Sequence, residues 1–131
     1  MAWGRGSKHP RYYLKRLNGR IRFIKGSHDR GVRHTKNHKI LYYRGYRFLL
    51  IHNPHDVSNK WKGWVIHGHT HNNDMKNYPF INGERKTINV GVELINYRPV
   101  SLDYLISLNI DSIKKMRTIR SRIERFLTLL K

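Results

Sequence analysis

The sequence predicts an α/β fold in which a strand-rich middle is flanked by helices at both ends. Short apolar runs in the middle of the chain are separated by glycine and proline, a pattern typical of buried strands. Residues that start helices stand near both ends of the chain. The length of 131 residues suits one compact domain. The content of 38% hydrophobic and 11% aromatic residues excludes a disordered basic tail.

The first part of the chain predicts a helix, a strand and a loop. Proline is favoured in the first turn of a helix, so Pro10 predicts a helix that runs to about Arg16, with Leu14 and Leu17 facing inward. Arg20–Ile24 alternates polar and apolar residues, as a half-buried strand does. The glycine-rich segment 26–31 that follows predicts a loop.

The middle of the chain predicts four strands. Three of them are apolar runs that end at glycine or proline, at Ile40–Tyr43, Tyr46–His52 and Gly63–His67. Asn53 and the proline after it end the second of these runs sharply. Lys86–Leu94 predicts a fourth strand, with its even-numbered apolar residues on one face.

The last part of the chain predicts two helices. Ser101 is a suitable cap for a helix over Leu102–Leu108, and Asp111 for a longer one. The apolar side of the longer helix carries Ile113, Met116, Ile119, Ile123, Phe126, Leu127 and Leu130. We therefore divide the chain into a domain over 1–108 and a basic amphipathic helix over 109–131. Such a helix packs on its own domain or contacts a membrane, a protein or nucleic acid.

Composition limits the kinds of site and the compartment. The chain has no cysteine, which excludes disulfides and zinc–thiolate sites. No apolar run reaches the roughly 18 residues needed to cross a bilayer, and Met1 is not followed by the apolar core of a secretory signal. We therefore expect a cytoplasmic protein that has no membrane partner.

The net charge of +19 is unevenly distributed along the chain. Residues 1–50 carry +13, residues 51–110 carry +1 and residues 111–131 carry +5. Small domains stay soluble with a net charge of about 2 to 8, and a larger excess opposes compaction unless an anion neutralises it. A solvated basic surface or an anionic membrane would also explain the charge. Nucleic acid is favoured, because phosphates bound by lysine and arginine release counterions.

Arginine outnumbers lysine fifteen to twelve, and its planar guanidinium binds phosphate bidentately and stacks on bases. Aromatic residues are interleaved with the charges in Arg11–Arg16 and Tyr42–Arg47, where they either pack in the core or stack on exposed bases. RNA, with ribosomal RNA favoured, and neighbouring ribonucleoprotein subunits are therefore the expected partners. The predicted RNA-binding residues are Arg5, Lys8, Arg11, Lys15, Arg16, Arg20, Arg22, Arg30, Arg33, Lys36, Lys39, Arg44, Arg47, Lys114, Lys115, Arg117, Arg120, Arg122 and Arg125.

Histidines follow three of the predicted strands. His67, His69 and His71 come at and after the end of one apolar strand, and the glycine between the first two predicts a sharp loop. His28 and His52 follow two other apolar runs. Polar side chains at the carboxyl ends of strands form the sites of open α/β sheets, and neutral imidazoles bind zinc, manganese, iron or nickel. The pattern indicates a metal site or a set of ordinary surface histidines.

Four pieces of the sequence resemble the C-terminal part of the calcineurin-like metallophosphoesterases. They are Ile24–Arg30, where the family has Gly-Asn-His-Asp and which follows a further match at Leu17–Arg20, then Leu50–Pro54, Val65–His71 with its Gly-His-Thr-His, and Asn89–Glu93 with Tyr97–Leu102. The pieces occur in the family's order, and the similarity spans roughly 10–106. The resemblance implies a sandwich of two β-sheets flanked by helices, here truncated, and a pair of metal ions that activate a water for attack on a phosphoester.

The resemblance also implies roles for single residues. His52 and His69 correspond to ligands of one metal and His71 to a ligand of the other. His28 corresponds to the histidine that assists the leaving group. Ser27 stands where the family has an asparagine ligand, and a serine hydroxyl is a poorer donor.

The family's two acidic motifs, Asp-x-His and Gly-Asp, have no counterpart in the sequence. Two divalent ions held close together need negative charge between them, and the matching residues of this chain are all neutral. We therefore expect that no cofactor is required, that at most one divalent metal (Zn, Mn, Fe or Ni) binds, and that the fold is a degenerate metallophosphoesterase recruited to bind RNA. The alternatives are a metal-dependent phosphoesterase or nuclease, and an adaptor that presents its last helix to a partner protein.

Overall fold

Five strands pair into one open, mixed sheet. They are β1 (His38–Tyr43), β2 (Tyr46–Ile51), β3 (Trp64–His67), β4 (Ile81–Asn82) and β5 (Thr87–Asn89). This computed structural model describes residues 8–29 and 35–113. The strand order is β1-β2-β3-β5-β4. Strands β2, β3 and β5 are parallel, whereas β1 and β4 pair antiparallel at the edges. The carboxyl ends of the three parallel strands therefore lie side by side.

Short helices surround the sheet. They are α1 (Pro10–Leu14), α2 (Leu102–Ser107) and two 3-10 turns at Pro54–Asp56 and Ile110–Ser112. Ser101 caps α2, since its hydroxyl accepts a hydrogen bond from the N–H of Tyr104 at 3.1 Å. None of the helices in the described residues is long and apolar enough to cross a membrane.

One face of the sheet forms the core with the C-terminal elements. Phe48 and Trp64 are register partners on β2 and β3, and both are buried against Leu105 and Ile110. The indole N–H of Trp64 donates to the carboxylate of Asp111 at 2.9 Å. The core continues through Ile113, which is buried with the same cluster.

The turn between β1 and β2 is joined to α2. The Tyr43 hydroxyl donates to Asp103 at 2.8 Å, and the guanidinium of Arg44 lies 3.2 Å from the same carboxylate. Arg44 has a left-handed backbone with φ of 46°, and Gly45 follows with φ of 79°, which is the conformation that a tight two-residue hairpin turn requires.

Most of the predicted elements are confirmed. The helices predicted over 10–16 and 102–108 and the strands over 40–43, 46–52 and 63–67 all occur, with ends that differ by only a few residues. Long apolar runs and capping residues are the strongest local signals. Asp111 does not cap a longer helix at this point: it lies within the 3-10 turn Ile110–Ser112, and Ile113 after it is extended. The rest of the helix predicted there lies outside the described residues.

The strand predicted over Arg20–Ile24 is wrong. This segment makes only one isolated bridge, between Ile24 and Lys36. Alternation favours an extended chain, but a strand needs a neighbour that supplies a continuous ladder of hydrogen bonds, and here the pairing is limited to the bonds of Lys36 with the backbone of Phe23 and Lys25. Leu17, predicted to face inward, is 55% exposed because α1 ends before it.

The strand predicted over Lys86–Leu94 is shorter than expected, since β5 ends at Asn89. The chain turns there: the N–H of Leu94 donates to the carbonyl of Gly91 at 2.9 Å, and Val92 is 46% exposed rather than packed. The two-residue strand β4 was not predicted, since so short a segment carries no periodic signal.

Candidate functional site

His52 and His69 meet at the carboxyl edge of the sheet, just after β2 and β3. The Nε2 of His52 lies 3.0 Å from the Nδ1 of His69, and the ring centroids are 4.8 Å apart. The backbone holds the pair together, because the carbonyl of His52 accepts from the N–H of His69 at 3.0 Å. Burial, and next the charge of His69, lower the pKa of His52. The neutral ring that this favours is the form that binds metal ions.

His71 forms a carboxylate–histidine pair. Its Nδ1 lies 2.9 Å and 3.1 Å from the two carboxylate oxygens of Glu93. The pKa of Glu93 is lowered, first by a hydrogen bond from its own backbone and then by the His71 ring. A carboxylate on one ring nitrogen fixes the orientation of the other nitrogen, as in many metal-binding histidines. Glu93 was missed as a site residue, since nothing in its sequence neighbours marks it as a partner of His71.

Asn89 holds the loop that carries the histidines. Its fully buried amide nitrogen lies 3.0 Å from the Thr70 hydroxyl, 2.8 Å from the His71 carbonyl and 3.0 Å from the Tyr78 carbonyl. Its side-chain oxygen accepts from the N–H of Gly91 at 2.9 Å. These bonds compensate the strained left-handed backbone of His71, with φ of 47°. Sequence reasoning placed Asn89 only in a strand and so missed this role.

The turn 26–29 packs against His52. The Asp29 carboxylate accepts from the N–H of Gly26 at 2.8 Å, which closes the turn. A Cβ at Gly26 would lie 3.3 Å from the His52 ring, so only a glycine approaches this closely without displacement. Ser27 lies at the rim of an open cleft beside His52. His28 is exposed, with no hydrogen bond to another described residue.

Two imidazole nitrogens come together here, which is fewer than the three protein donors of a typical catalytic metal site. The imidazole nitrogens of His52 and His69 are 3.0 Å apart, near the separation of about 3.4 Å between two tetrahedral zinc ligands. His71 pairs with Glu93 through its Nδ1. Residues 8–29 and 35–113 contain no group of three or more His, Cys, Asp or Glu side chains placed to hold a metal ion. A two-metal centre would in addition need a bridging carboxylate, which this donor set does not provide.

His67 points into the protein and is separate from the other histidines. It is 1% exposed, and neither ring nitrogen has a hydrogen-bond partner among the described residues. Its ring packs edge-on against Tyr78, with centroids 5.2 Å apart. Burial, assisted by the charges of nearby histidines, lowers the pKa of His67 to about 4. The predicted sharp loop at Gly68 is confirmed, and it explains why His67 and His69 diverge.

A basic cluster lies beside β1 and consists of Arg20, Arg22, Lys36 and Lys39. The N–H of Lys25 donates to the carbonyl of Lys36 at 2.8 Å, which brings the first segment next to the start of β1. Burial and then the charges of Arg22, Lys36 and Arg20 lower the pKa of Lys39. Among the described residues, the lysines and arginines make one ion pair, between the β1–β2 turn and α2. The basic cluster therefore has no carboxylate partner in this part of the chain.

Other predicted RNA-binding cations stack on aromatic rings. The guanidinium of Arg16 lies 3.7 Å from the centre of the Tyr12 ring, and the ammonium of Lys8 lies 4.1 Å from it. The guanidinium of Arg47 lies 4.4 Å from the Trp61 ring. Stacking positions these cations without neutralising their charge. The predicted contacts at Arg5, Arg30, Arg33, Lys114, Lys115, Arg117, Arg120, Arg122 and Arg125 lie outside the described residues.

Comparison with known proteins identifies one informative relative. The chain is 48% identical over 114 residues to the uncharacterized protein MJ1445 of Methanocaldococcus jannaschii. The match covers 86% of this chain, and the chain spans 62% of that relative's length. No protein-family profile matches the chain, and no solved structure is significantly similar to it.

Proposed function

We propose that this protein binds RNA as a component of a ribonucleoprotein, with ribosomal RNA as the favoured partner. The observation that carries the proposal is the basic cluster Arg20, Arg22, Lys36 and Lys39, which lies at and beside β1 and makes no ion pair with a carboxylate of the described residues. Crowded cations of this kind lower the stability of the free protein. Phosphates that insert among them would relieve the repulsion and release counterions.

Contacts of this kind would position the RNA on the protein and would not distinguish one base from another. Contacts from lysine and arginine to phosphates set register and orientation but carry no sequence information. Specificity would therefore come from the shape of a folded RNA. Stacked cations such as Arg16 on Tyr12 are pre-oriented for phosphate, since the ring restricts the guanidinium.

The salt dependence of RNA binding tests this proposal. Six or more phosphate contacts are expected to give a log–log slope against salt of about −4 or steeper. Replacing Arg20 and Arg22 together by glutamate should weaken binding and flatten the slope by at least about 1.4. Replacing Lys76 and Arg98 by glutamate is the matched control, because it makes the same charge change at exposed positions outside the cluster. A flat slope, or equal effects of the two double variants, would contradict the proposal.

We also propose that the sheet derives from the metallophosphoesterase fold and corresponds to one sheet of that family's sandwich. Two features of the described residues support it. His52 and His69 lie together at the carboxyl ends of parallel strands, and the turn that contains Ser27 and His28 packs on His52. This is the arrangement that the sequence resemblance implies.

A second candidate is a metal-dependent phosphoesterase, favoured by the paired rings of His52 and His69 and by the His71–Glu93 pair. A divalent ion bound there would supply a Lewis acid and a water of lowered pKa. Because the described donors do not complete a two-metal centre, we expect the chain by itself to show no turnover.

Hydrolysis of an aryl phosphodiester with Mn²⁺ or Zn²⁺ checks this expectation. Turnover that is lost in His71→Ala would show that the protein is an enzyme. It would also contradict the premise of the RNA-binding proposal, which is that the site is degenerate. The same assay on the longer Methanocaldococcus relative, and a search for Asp-x-His and Gly-Asp codons in frame before Met1, test whether the missing acidic groups come from additional chain.

A further inference from the structure

Two clefts join on the face of β1 and β2 that is turned away from the core. One is a polar cleft of about 520 Å³ beside Lys25, Ser27 and His52. The other is an apolar groove of about 310 Å³ over Ile40, Leu49 and Trp61. His38, Ile51 and Asp56 line both, so the two clefts form one continuous depression with a polar end and an apolar end.

Contacts within the fold hold the lining of the apolar groove in place. Ile40 and Leu49 are register partners that form its floor, and Ile40 is 42% exposed. Trp61 forms the wall and is fixed in place. Arg47 lies over its ring at 4.4 Å, and a Cβ at Gly63 would lie only 2.7 Å from the ring. Trp61 and the floor residues together give the groove its apolar lining.

The polar cleft offers groups suited to a phosphate. Lys25, the exposed Ser27 and His52 all line it. Lys25 and Ser27 belong to residues 1–50, which carry a net charge of +13. Asp56 at the junction is the one acid among the described residues that line this depression, and a carboxylate accepts hydrogen bonds from hydroxyl groups.

We propose that this depression binds one nucleotide unit of single-stranded RNA. The base occupies the apolar groove against Trp61, the ribose lies at the junction with its 2′-hydroxyl donating to Asp56, and the phosphate lies in the polar cleft beside Lys25 and Ser27. An apolar groove with a few convergent polar groups is the usual form of a small-ligand site. The 2′-hydroxyl is the group by which proteins distinguish RNA from DNA. This inference rests on the proposed RNA binding and names the place where a base is held.

Measuring the affinity of the protein for three probes tests this inference. The probes are adenosine monophosphate, a ten-nucleotide single-stranded RNA of mixed sequence, and DNA of the same sequence. We expect the RNA to quench tryptophan fluorescence and to bind more tightly than the DNA. Trp61→Ala should weaken RNA binding about 5- to 150-fold, the range for loss of one stacked base, and should remove the quenching. Asp56→Ala should bring the RNA and DNA affinities together, a ratio that does not depend on stability.

Tyr97→Ala is the matched control, because Tyr97 is 74% exposed and lies outside both clefts. If RNA binds with the steep salt slope but Trp61→Ala and Asp56→Ala behave like Tyr97→Ala, the nucleotide site is wrong while RNA binding stands. If adenosine monophosphate binds through Trp61 and RNA does not bind, the depression is a binding site for a free nucleotide. The ribonucleoprotein proposal then fails. If neither probe binds, both proposals fail.

Discussion

Replacing His67 with leucine is expected to make the fold less sensitive to acid. His67 is 1% exposed, and burial holds its pKa at about 4 against an ordinary value of 6.5. Below pH 6.5 the unfolded chain therefore takes up a proton that the folded chain does not. The contribution of His67 to stability is complete above pH 6.5 and is lost as the pH falls toward 4. The full loss amounts to about 3 kcal/mol.

Urea unfolding at pH 7.5 and pH 4.5 measures this effect. The free energy of unfolding of the natural protein should fall between these values by about 2 to 3 kcal/mol more than that of His67→Leu. At pH 7.5 the variant should be at least as stable, because it removes two buried nitrogens that have no partner in the described residues. His38→Leu is the control, since His38 is exposed. An equal fall in both variants would show that another group controls the acid response.

Asn89→Ala is expected to destabilise the fold by about 3 kcal/mol. The side chain is fully buried, and its loss would leave the carbonyls of His71 and Tyr78 and the N–H of Gly91 without these partners. Buried polar groups that lose a partner each cost about 1 to 3 kcal/mol. The loop 68–71 should open first, because Asn89 is what holds its left-handed end.

Chemical denaturation and amide hydrogen exchange distinguish these two effects. Asn89→Ala should lower the free energy of unfolding and raise exchange in residues 68–71 by a larger factor than elsewhere. Asn72→Ala is the matched control, because Asn72 is exposed in the same loop, and it should change stability by less than about 0.5 kcal/mol. Indistinguishable behaviour of the two variants would rule out the proposed role of Asn89.

Local signals in the sequence were sufficient to predict a helix or strand where tertiary packing favoured the same element. The apolar runs that became β2 and β3 and the serine that caps α2 each specify an element through neighbours in sequence. They failed at Arg20–Ile24 and at Lys86–Leu94. In both segments the alternation of polar and apolar residues indicates that the chain is able to form a strand. How far a strand extends depends on whether a partner strand lies beside it.

The candidate site was predicted in part. The positions of His52 and His69 after neighbouring strands indicated that they would meet, and they do, at 3.0 Å. Three other features depended on contacts between residues far apart in sequence: the Glu93 partner of His71, the bonds from Asn89 to the loop, and the burial of His67. No spacing rule connects such residues, because the distance between them is set by the packing of the loop on β5.

Charge, composition and the order of the histidine-bearing pieces were properties of the sequence alone, since they do not change when the chain folds. They were enough to favour a polyanionic partner and to locate the edge of the sheet where polar groups gather. Only the tertiary structure decided which histidine is buried, which cations lack a counter-charge among the described residues, and that a polar cleft continues into an apolar groove beside Trp61. Those properties arise from the distances between side chains of different strands and loops, which the register and packing of the sheet determine.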